Sequence, residues 1–193
     1  MRKKRIAILI SGTGSNMAAI VKETQNGILK DVCRVELVLS NKYSAKGLQT
    51  AGELGVPTKV VPSKGKEREN YDREVLQVLE PYQPDYIVLA GFMRILSPVF
   101  IRAYKNRIIN IHPADTRQFQ GVGGYEWAFE NGLQETCITV HYVDEGVDTG
   151  PIIGQKKVDL RGAHSVDEVK ARGLPIEHSF YSEVLKDVFS KNI

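Results

Sequence analysis

The chain has 193 residues, 42% hydrophobic and 25% charged, which is enough for one sizeable core and too ordinary a balance for disorder. Its 26 basic and 23 acidic residues give a net charge of +3, too weak a bias to argue for nucleic acid, and two cysteines make neither a disulfide framework nor a metal set. No apolar run approaches the roughly 18 residues of a membrane span and the run 6–10 is too short for a signal-peptide core, so a cytoplasmic protein is expected.

Residues 6–10, Ile-Ala-Ile-Leu-Ile, are apolar throughout, which suits a strand buried on both faces. Arg2, Lys3, Lys4 and Arg5 before it read as a solvated lead-in. A turn at 11–16 precedes a helix at 17–25 that Gly27 stops. A second strand at 35–40 and a second helix at 45–54 follow, then a short edge-like strand at 59–61 beside Pro57 and Pro62. Residues 71–79 read as a helix ended by Pro81 and Pro84, and 86–90 and 108–111 as further buried strands. This alternation implies right-handed crossovers and a doubly wound, Rossmann-like α/β sheet of mostly parallel strands. Residues 136–143 alternate like an antiparallel strand and 155–160 resemble a second one, a C-terminal antiparallel extension. The C-terminal stretch 165–189 reads as a helix capped by Ser165 and interrupted near Gly173 and Pro175. The expected organisation is a single domain over 1–193, with halves at about 1–105 and 106–193 and a cleft at the carboxyl ends of the strands.

Three segments carry chemistry. Gly12 and Gly14, between the first strand and first helix, expose backbone N–H groups at a helix start, where an anion is favoured. Ser15 and Asn16 add side-chain donors. With neither a third glycine nor Gly-Lys-Ser/Thr, the loop suits a monophosphate better than a dinucleotide or ATP. Gly91-Phe92-Met93-Arg94-Ile95-Leu96 offers apolar walls with one cation, a slot for a flat heteroaromatic or merely a covered surface. Asn110-Ile111-His112-Pro113 ends a buried strand. Residues two apart share a face, so Asn110 and His112 form a pair of donors for a developing oxyanion. Asp144, Glu145 and Asp148 crowd a later turn, and Asp148 packed against His112 would favour the imidazolium and raise its pKa. Of the other histidines, His164 reads as solvated, His141 as strand packing, and His178 as structural or near the cleft. Cys33 and Cys137 read as small core hydrophobes. No ligand cluster of metal-binding spacing occurs, so no metal is expected.

In this order and spacing the segments resemble the folate-dependent phosphoribosylglycinamide formyltransferases of purine biosynthesis. The likeness runs from about residue 6 to about 183. It rests on Ser-Gly-Thr-Gly-Ser-Asn at 11–16, Ser-Asn-Lys at 40–42, Tyr-Asp-Arg-Glu at 71–74, Leu-Ala-Gly-Phe-Met-Arg-Ile-Leu at 89–96, Asn-Ile-His-Pro at 110–113 and the segment 143–151 carrying Asp148. The resemblance implies a formyltransferase fold and transfer of a formyl group from 10-formyltetrahydrofolate, as co-substrate, to the glycine amine of glycinamide ribonucleotide. It implies Asn110, His112 and Asp148 as the catalytic set, and Gly14, Ser15 and Asn16 at the substrate phosphate. It places Glu177 at the glycinamide, and Arg68, Met93, Arg94, Ile95, Leu96, Asn110, Val143 and Asp144 at the folate. The implied partners are these small molecules, with neither nucleic acid nor membrane, and the implied state is monomer or homodimer.

One segment departs from the family pattern. After His-Pro the family reads Ser-Leu-Leu-Pro, then an aromatic residue, a Lys and a Gly, with a His two places on. Here the stretch 114–124 is Ala-Asp-Thr-Arg-Gln-Phe-Gln-Gly-Val-Gly-Gly, polar where the family is apolar and richer in glycine. A looser cover for the cleft is expected from it. Two alternatives follow: a 10-formyltetrahydrofolate hydrolase with water as acceptor, and a folate- or nucleotide-binding protein with weak or lost turnover.

Overall fold

The computed structural model describes residues 2–191. Strand β1 (Lys4–Ile10) lies inside the sheet, because Ile6, Ala7, Ile8, Leu9 and Ile10 need apolar cover on both faces and receive it in full. Chain order adds β2 (Cys33–Ser40) and β3 (Thr58–Val60) on one side of it, and β4 (Tyr86–Leu89), β5 (Ile108–His112), β6 (Glu135–Tyr142) and β7 (Ile152–Asp159) on the other. The strand order is β3-β2-β1-β4-β5-β6-β7. Pairings up to β4–β5 are parallel, and β5–β6 and β6–β7 are antiparallel. This is the expected doubly wound sheet with an antiparallel extension. The chain leaves β1 in opposite directions to reach β2 and β4, so a crevice opens beyond the carboxyl ends of β1 and β4. There the Ser11 N–H donates to the Gly91 carbonyl at 3.0 Å and the Met93 N–H donates to Ser11 Oγ at 2.8 Å, joining the two exit loops.

Helices cover the two faces unequally. On one face α1 (Ser15–Asn26), α2 (Lys46–Glu53), α5 (Gly124–Glu130) and α6 (Val166–Lys191) pack against Ile6, Ile8, Ile10, Val88, Ile109, Ile111, Ile138 and Val140. On the other, α3 (Arg68–Leu79) and α4 (Pro98–Ala103) pack against Ala7, Leu9, Leu37, Leu39, Ile87, Leu89 and Ile108. Asn110 and His112 share the face of Ile108, and the segments 114–123 and 143–151 reach His112 and Asn110 there.

Most helix and strand ends fall within two residues of expectation; α3 and β7 each begin three residues earlier. Three points differ in kind. Helix α6 runs unbroken through Gly173 and Pro175 rather than being interrupted. Pro175 is exposed, so water can meet the carbonyl left without its N–H partner, and Gly173 is where another side chain packs. Its start is as expected, with Ser165 Oγ accepting from the Glu168 N–H at 3.2 Å. Helix α4 was not expected, although Ser97-Pro98 is a start signal. Helix α5 begins inside the stretch expected to be loop, behind Gly123 at φ +88°. Gly124 is required there, because a Cβ would fall 2.8 Å from the Pro113 carbonyl oxygen. The basic lead-in is partly structured too: Arg2 pairs with Asp85 at 2.7 Å, and Lys4 and Arg5 already belong to β1.

Candidate active site

Parallel β5 and antiparallel β6 put the polar groups together. Asn110 pairs directly with His141 across the two strands, and His112 with Thr139. Directly opposed residues project to the same face, so Asn110, His112, Thr139 and His141 form one polar patch at the carboxyl end of β5. The turn 143–151 brings the carboxylate. It leaves β6 through a close crossing at Gly150, where a Cβ would meet the Tyr142 carbonyl oxygen at 1.8 Å. Asp144 ties the turn internally, accepting from Thr149 Oγ1 at 2.6 Å and from the Gly146 N–H at 3.0 Å. Asp148 takes the left-handed conformation at φ +52° and turns inward.

Asp148 is the hub. Its Oδ1 accepts from Asn110 Nδ2 at 3.2 Å and lies 3.4 Å from His141 Nε2. Its Oδ2 accepts from the Gly121 N–H at 2.8 Å and faces His112 Nδ1 at 3.5 Å. His112 Nε2 lies 3.0 Å from the Phe119 carbonyl, which can only accept, so Nε2 carries a hydrogen. Asn110 and His112, two of the expected catalytic residues, therefore both meet the third, Asp148, and loop 114–123 closes over them. Burial raises the Asp148 carboxyl, but the His141 ring, the Gly121 N–H and the His112 charge outweigh it and hold the group below its ordinary value. Burial pushes the His112 imidazole below its ordinary value; the Asp148 charge and the Phe119 carbonyl pull it upward without cancelling that. This corrects the expectation of a raised His112: an imidazole almost without water loses more by charging than a carboxylate at 3.5 Å returns.

Around this cluster lies a cavity of about 700 Å³, within the range of small-molecule sites. Every residue expected at the folate lines it: Arg68, Met93, Arg94, Ile95, Leu96, Asn110, Val143 and Asp144. Met93, Ile95, Val122 and Val147 are exposed apolar side chains gathered at its walls, an arrangement that marks a binding surface. The Arg94 guanidinium lies 4.4 Å over the Tyr71 ring, which answers how a lone cation sits among apolar neighbours.

Gly14, Ser15, Asn16 and Glu177 gather elsewhere, on the face of α1 and α6 and outside the cavity lining. Gly14 is at φ +72°, with Gly47 Cα only 3.0 Å from where a Cβ would stand, so the α1 entry needs glycine. The first N–H groups of α1 have no intrahelical acceptor. The Asn16 side chain turns toward Glu177 on α6. It donates to Glu177 Oε2 at 2.6 Å, since a buried carboxylate claims the nearest donor. One hydrogen of the Asn16 amide is thus taken by Glu177, and the other stands beside the backbone N–H as a donor for a ligand.

The sequence reading missed His141, taken for strand packing, along with Thr139, Phe119, Gly121 and Tyr125. The signal for His141 was its period-two spacing from Thr139 and Cys137 on a strand antiparallel to β5. Cys33 is buried, and that burial pushes its thiol up to about 12. Cys137 is only half-buried, a correction: its neighbour at 3.5 Å is the exposed polar side chain of Gln155 on β7, not an apolar cover. His164 is exposed as expected and His178 half-buried. The stretch 114–123 is more anchored than its composition suggests. Thr139 Oγ1 donates to the Ala114 carbonyl at 2.6 Å, and Phe119 stacks on Trp127 at 5.0 Å. Asp115 and Arg117 pair at its outer side at 2.6 Å, and hydrogen bonds from Arg117 hold the Asp115 carboxyl at about 2.

An α/β sheet bearing Asn, His and Asp at its crevice matches a known class. Residues 4–185 match the formyl transferase family, and the chain belongs to it. It is 41% identical to the phosphoribosylglycinamide formyltransferase of Escherichia coli (strain K12) over 93% of this chain and 84% of that one. The trifunctional purine biosynthetic protein adenosine-3 of Drosophila melanogaster is 41% identical over 95% of the chain, which spans 14% of that longer protein. The crystal structure of phosphoribosylglycinamide formyltransferase from Bacillus halodurans superposes with a TM-score of 0.93 at 36% identity, covering 98% of this chain and 97% of that one. Among the described residues no group of His, Cys, Asp and Glu is arranged to hold a metal, and no helix is long and apolar enough to cross a membrane.

Proposed function

We propose that this protein transfers the formyl group of 10-formyltetrahydrofolate to the glycine amine of glycinamide ribonucleotide, acting as one formyltransferase domain. The observation that carries the reading is the contact of Asn110, His112 and Asp148 at the end of β5, facing a cavity of folate size. The apolar walls at Met93–Leu96 suit a flat ring, and Arg68 at the rim suits an acidic tail. Gly14, Ser15 and the first N–H groups of α1 suit the phosphate. Glu177, on the same side of the sheet edge, suits donor groups of the ribonucleotide.

When the amine attacks the formyl carbon, negative charge grows on the formyl oxygen. Asn110 Nδ2 and His112 Nε2 are the donors within reach, and each such donor typically contributes about 10²–10³ in rate. Both are engaged inside the protein, with Asp148 Oδ1 and the Phe119 carbonyl, so the substrate oxygen displaces one internal partner for another. The imidazole, which burial biases toward its neutral form, gains proton affinity as the oxyanion forms beside it. Asp148 at 3.5 Å then stabilises the imidazolium and is placed to receive the amine proton. The C–N bond to the folate breaks as the new amide forms, the folate nitrogen keeps the electron pair and takes up the proton released by the amine, and no covalent bond to the protein is needed.

Absorbance of the folate product, recorded with and without the ribonucleotide, tests this. Turnover that requires the ribonucleotide is expected; equal turnover without it would establish the hydrolase, and no turnover in either mixture would leave a binding protein. We read the protein as a cytoplasmic monomer or homodimer, consistent with all site groups coming from one chain.

A further inference from the structure

Glu177 is a buried carboxylate without a cation. No Lys, Arg or His among the described residues pairs with it, and it is 6% exposed. Two neutral donors hold it instead: Asn16 Nδ2 on Oε2, and the Tyr125 hydroxyl on Oε1 in a short hydrogen bond. Tyr125 can stand there only because of its neighbour. A Cβ at Gly173, one turn before Glu177 on α6, would fall 2.2 Å from Tyr125 Oη and 2.4 Å from two of its ring carbons. Burial and the Glu177 charge both raise the Tyr125 phenol, so it stays a donor at any working pH.

We infer that Tyr125, seated in the notch left by Gly173, is a positioning residue that holds Glu177 for the ribonucleotide. The inference rests on the reading that Glu177 meets this substrate. A carboxylate has about four acceptor positions, and the two internal donors fill two of them. The rest remain for hydroxyl or amide donors of a ligand, in a direction set by the phenol and the amide. A cation beside Glu177 would have fixed it more strongly but would also have competed with those donors. Because Tyr125 follows Gly123 and Gly124 directly, the same contact anchors the end of the loop that covers Asp148.

The test is steady-state kinetics on Tyr125→Phe, Glu177→Gln and the double variant, with Gly173→Ala as a second way to move the phenol. Tyr125→Phe keeps the ring and removes only the donor. We expect its KM for glycinamide ribonucleotide to rise about tenfold, with kcat and the folate KM changed less than about twofold. Gly173→Ala should show the same split, and the double variant should be no worse than Glu177→Gln alone. Glu177→Gln with an altered ribonucleotide KM beside an unaltered Tyr125→Phe would overturn the inference and spare the Glu177 reading. So would a double variant whose two effects multiply. A ribonucleotide KM unmoved by Glu177→Gln would remove the reading itself, and the inference with it.

Discussion

Asp148 and Glu177 are both carboxylates withdrawn from water, and the molecule holds them differently. Asp148 sits on a turn, in the left-handed conformation, with ring nitrogens, an amide and a backbone N–H converging on it. Glu177 sits in the middle of a 26-residue helix and is gripped by an amide and a phenol, with no basic side chain paired to it. The first cluster is made of loops and can exchange partners. The second is made of helices α1, α5 and α6 and resists exchange. The proposed function assigns chemistry that creates and removes charge to the first arrangement, and recognition of a fixed shape to the second.

Substitutions can break or sharpen that contrast. The largest effect is expected from Asp148→Asn, which keeps the shape and removes the charge: kcat should fall by about 10³-fold with cooperative thermal unfolding retained. Near-normal turnover would end the catalytic assignment. Asn110→Ala should lower kcat by about 10²-fold in the same absorbance assay, one donor's worth. At the other carboxylate the loss should appear as stability. Asn16→Ala leaves Glu177 with a single internal donor and should cost about 1–3 kcal/mol, read from the midpoint of denaturant unfolding.

A pH series separates the two clusters further. The folded His112 titrates below its ordinary 6.5 because of burial, so the unfolded chain binds a proton there that the folded chain refuses. Stability is therefore full above 6.5 and declines as pH falls from that value toward the folded one. Asp148, also lowered, adds a second decline as pH falls from its ordinary 3.8 through its folded value. Melting temperature of His112→Gln against pH should lack the upper decline and keep the lower one; an unchanged upper slope would place it elsewhere. The smallest effect is expected from Trp127→Ala. Loss of its stack on Phe119 should cost about 1 kcal/mol in thermal stability, with a modest fall in kcat as the Phe119 carbonyl loosens.

The sheet could be read from apolar runs because each central strand is buried on both faces and says so in its composition. Asn110, His112 and Asp148, the three residues proposed as catalytic, were legible from strand-exit position and from the family pattern. His141 was not, because a histidine in an alternating strand looks the same whether it faces a core or a cleft; only the pairing of β6 with Asn110 decides. Helix α5 was hidden by the two glycines at its start, residues that read as loop when the Pro113 carbonyl crowding Gly124 is out of view. The Tyr125–Glu177 contact joins residues 52 apart and required the fold to bring α5 against α6. Gly173 was read as a break for the same reason: its missing Cβ serves a partner that one-dimensional spacing cannot see.

Helix α6 carries Gly173, Glu177 and Tyr181 at successive turns, and the Tyr181 hydroxyl lies 2.9 Å from the carbonyls of both Leu89 and Ile109. One rigid rod therefore bolts to the end of β4 and the interior of β5 at one rung and presents an acid at the next, like marks on a gauge. Adding or deleting a single residue between those rungs would swing one relative to the other by about 100°. Length between 173 and 181 should thus be among the least negotiable quantities in the chain, while the exposed positions along the same rod remain free to vary.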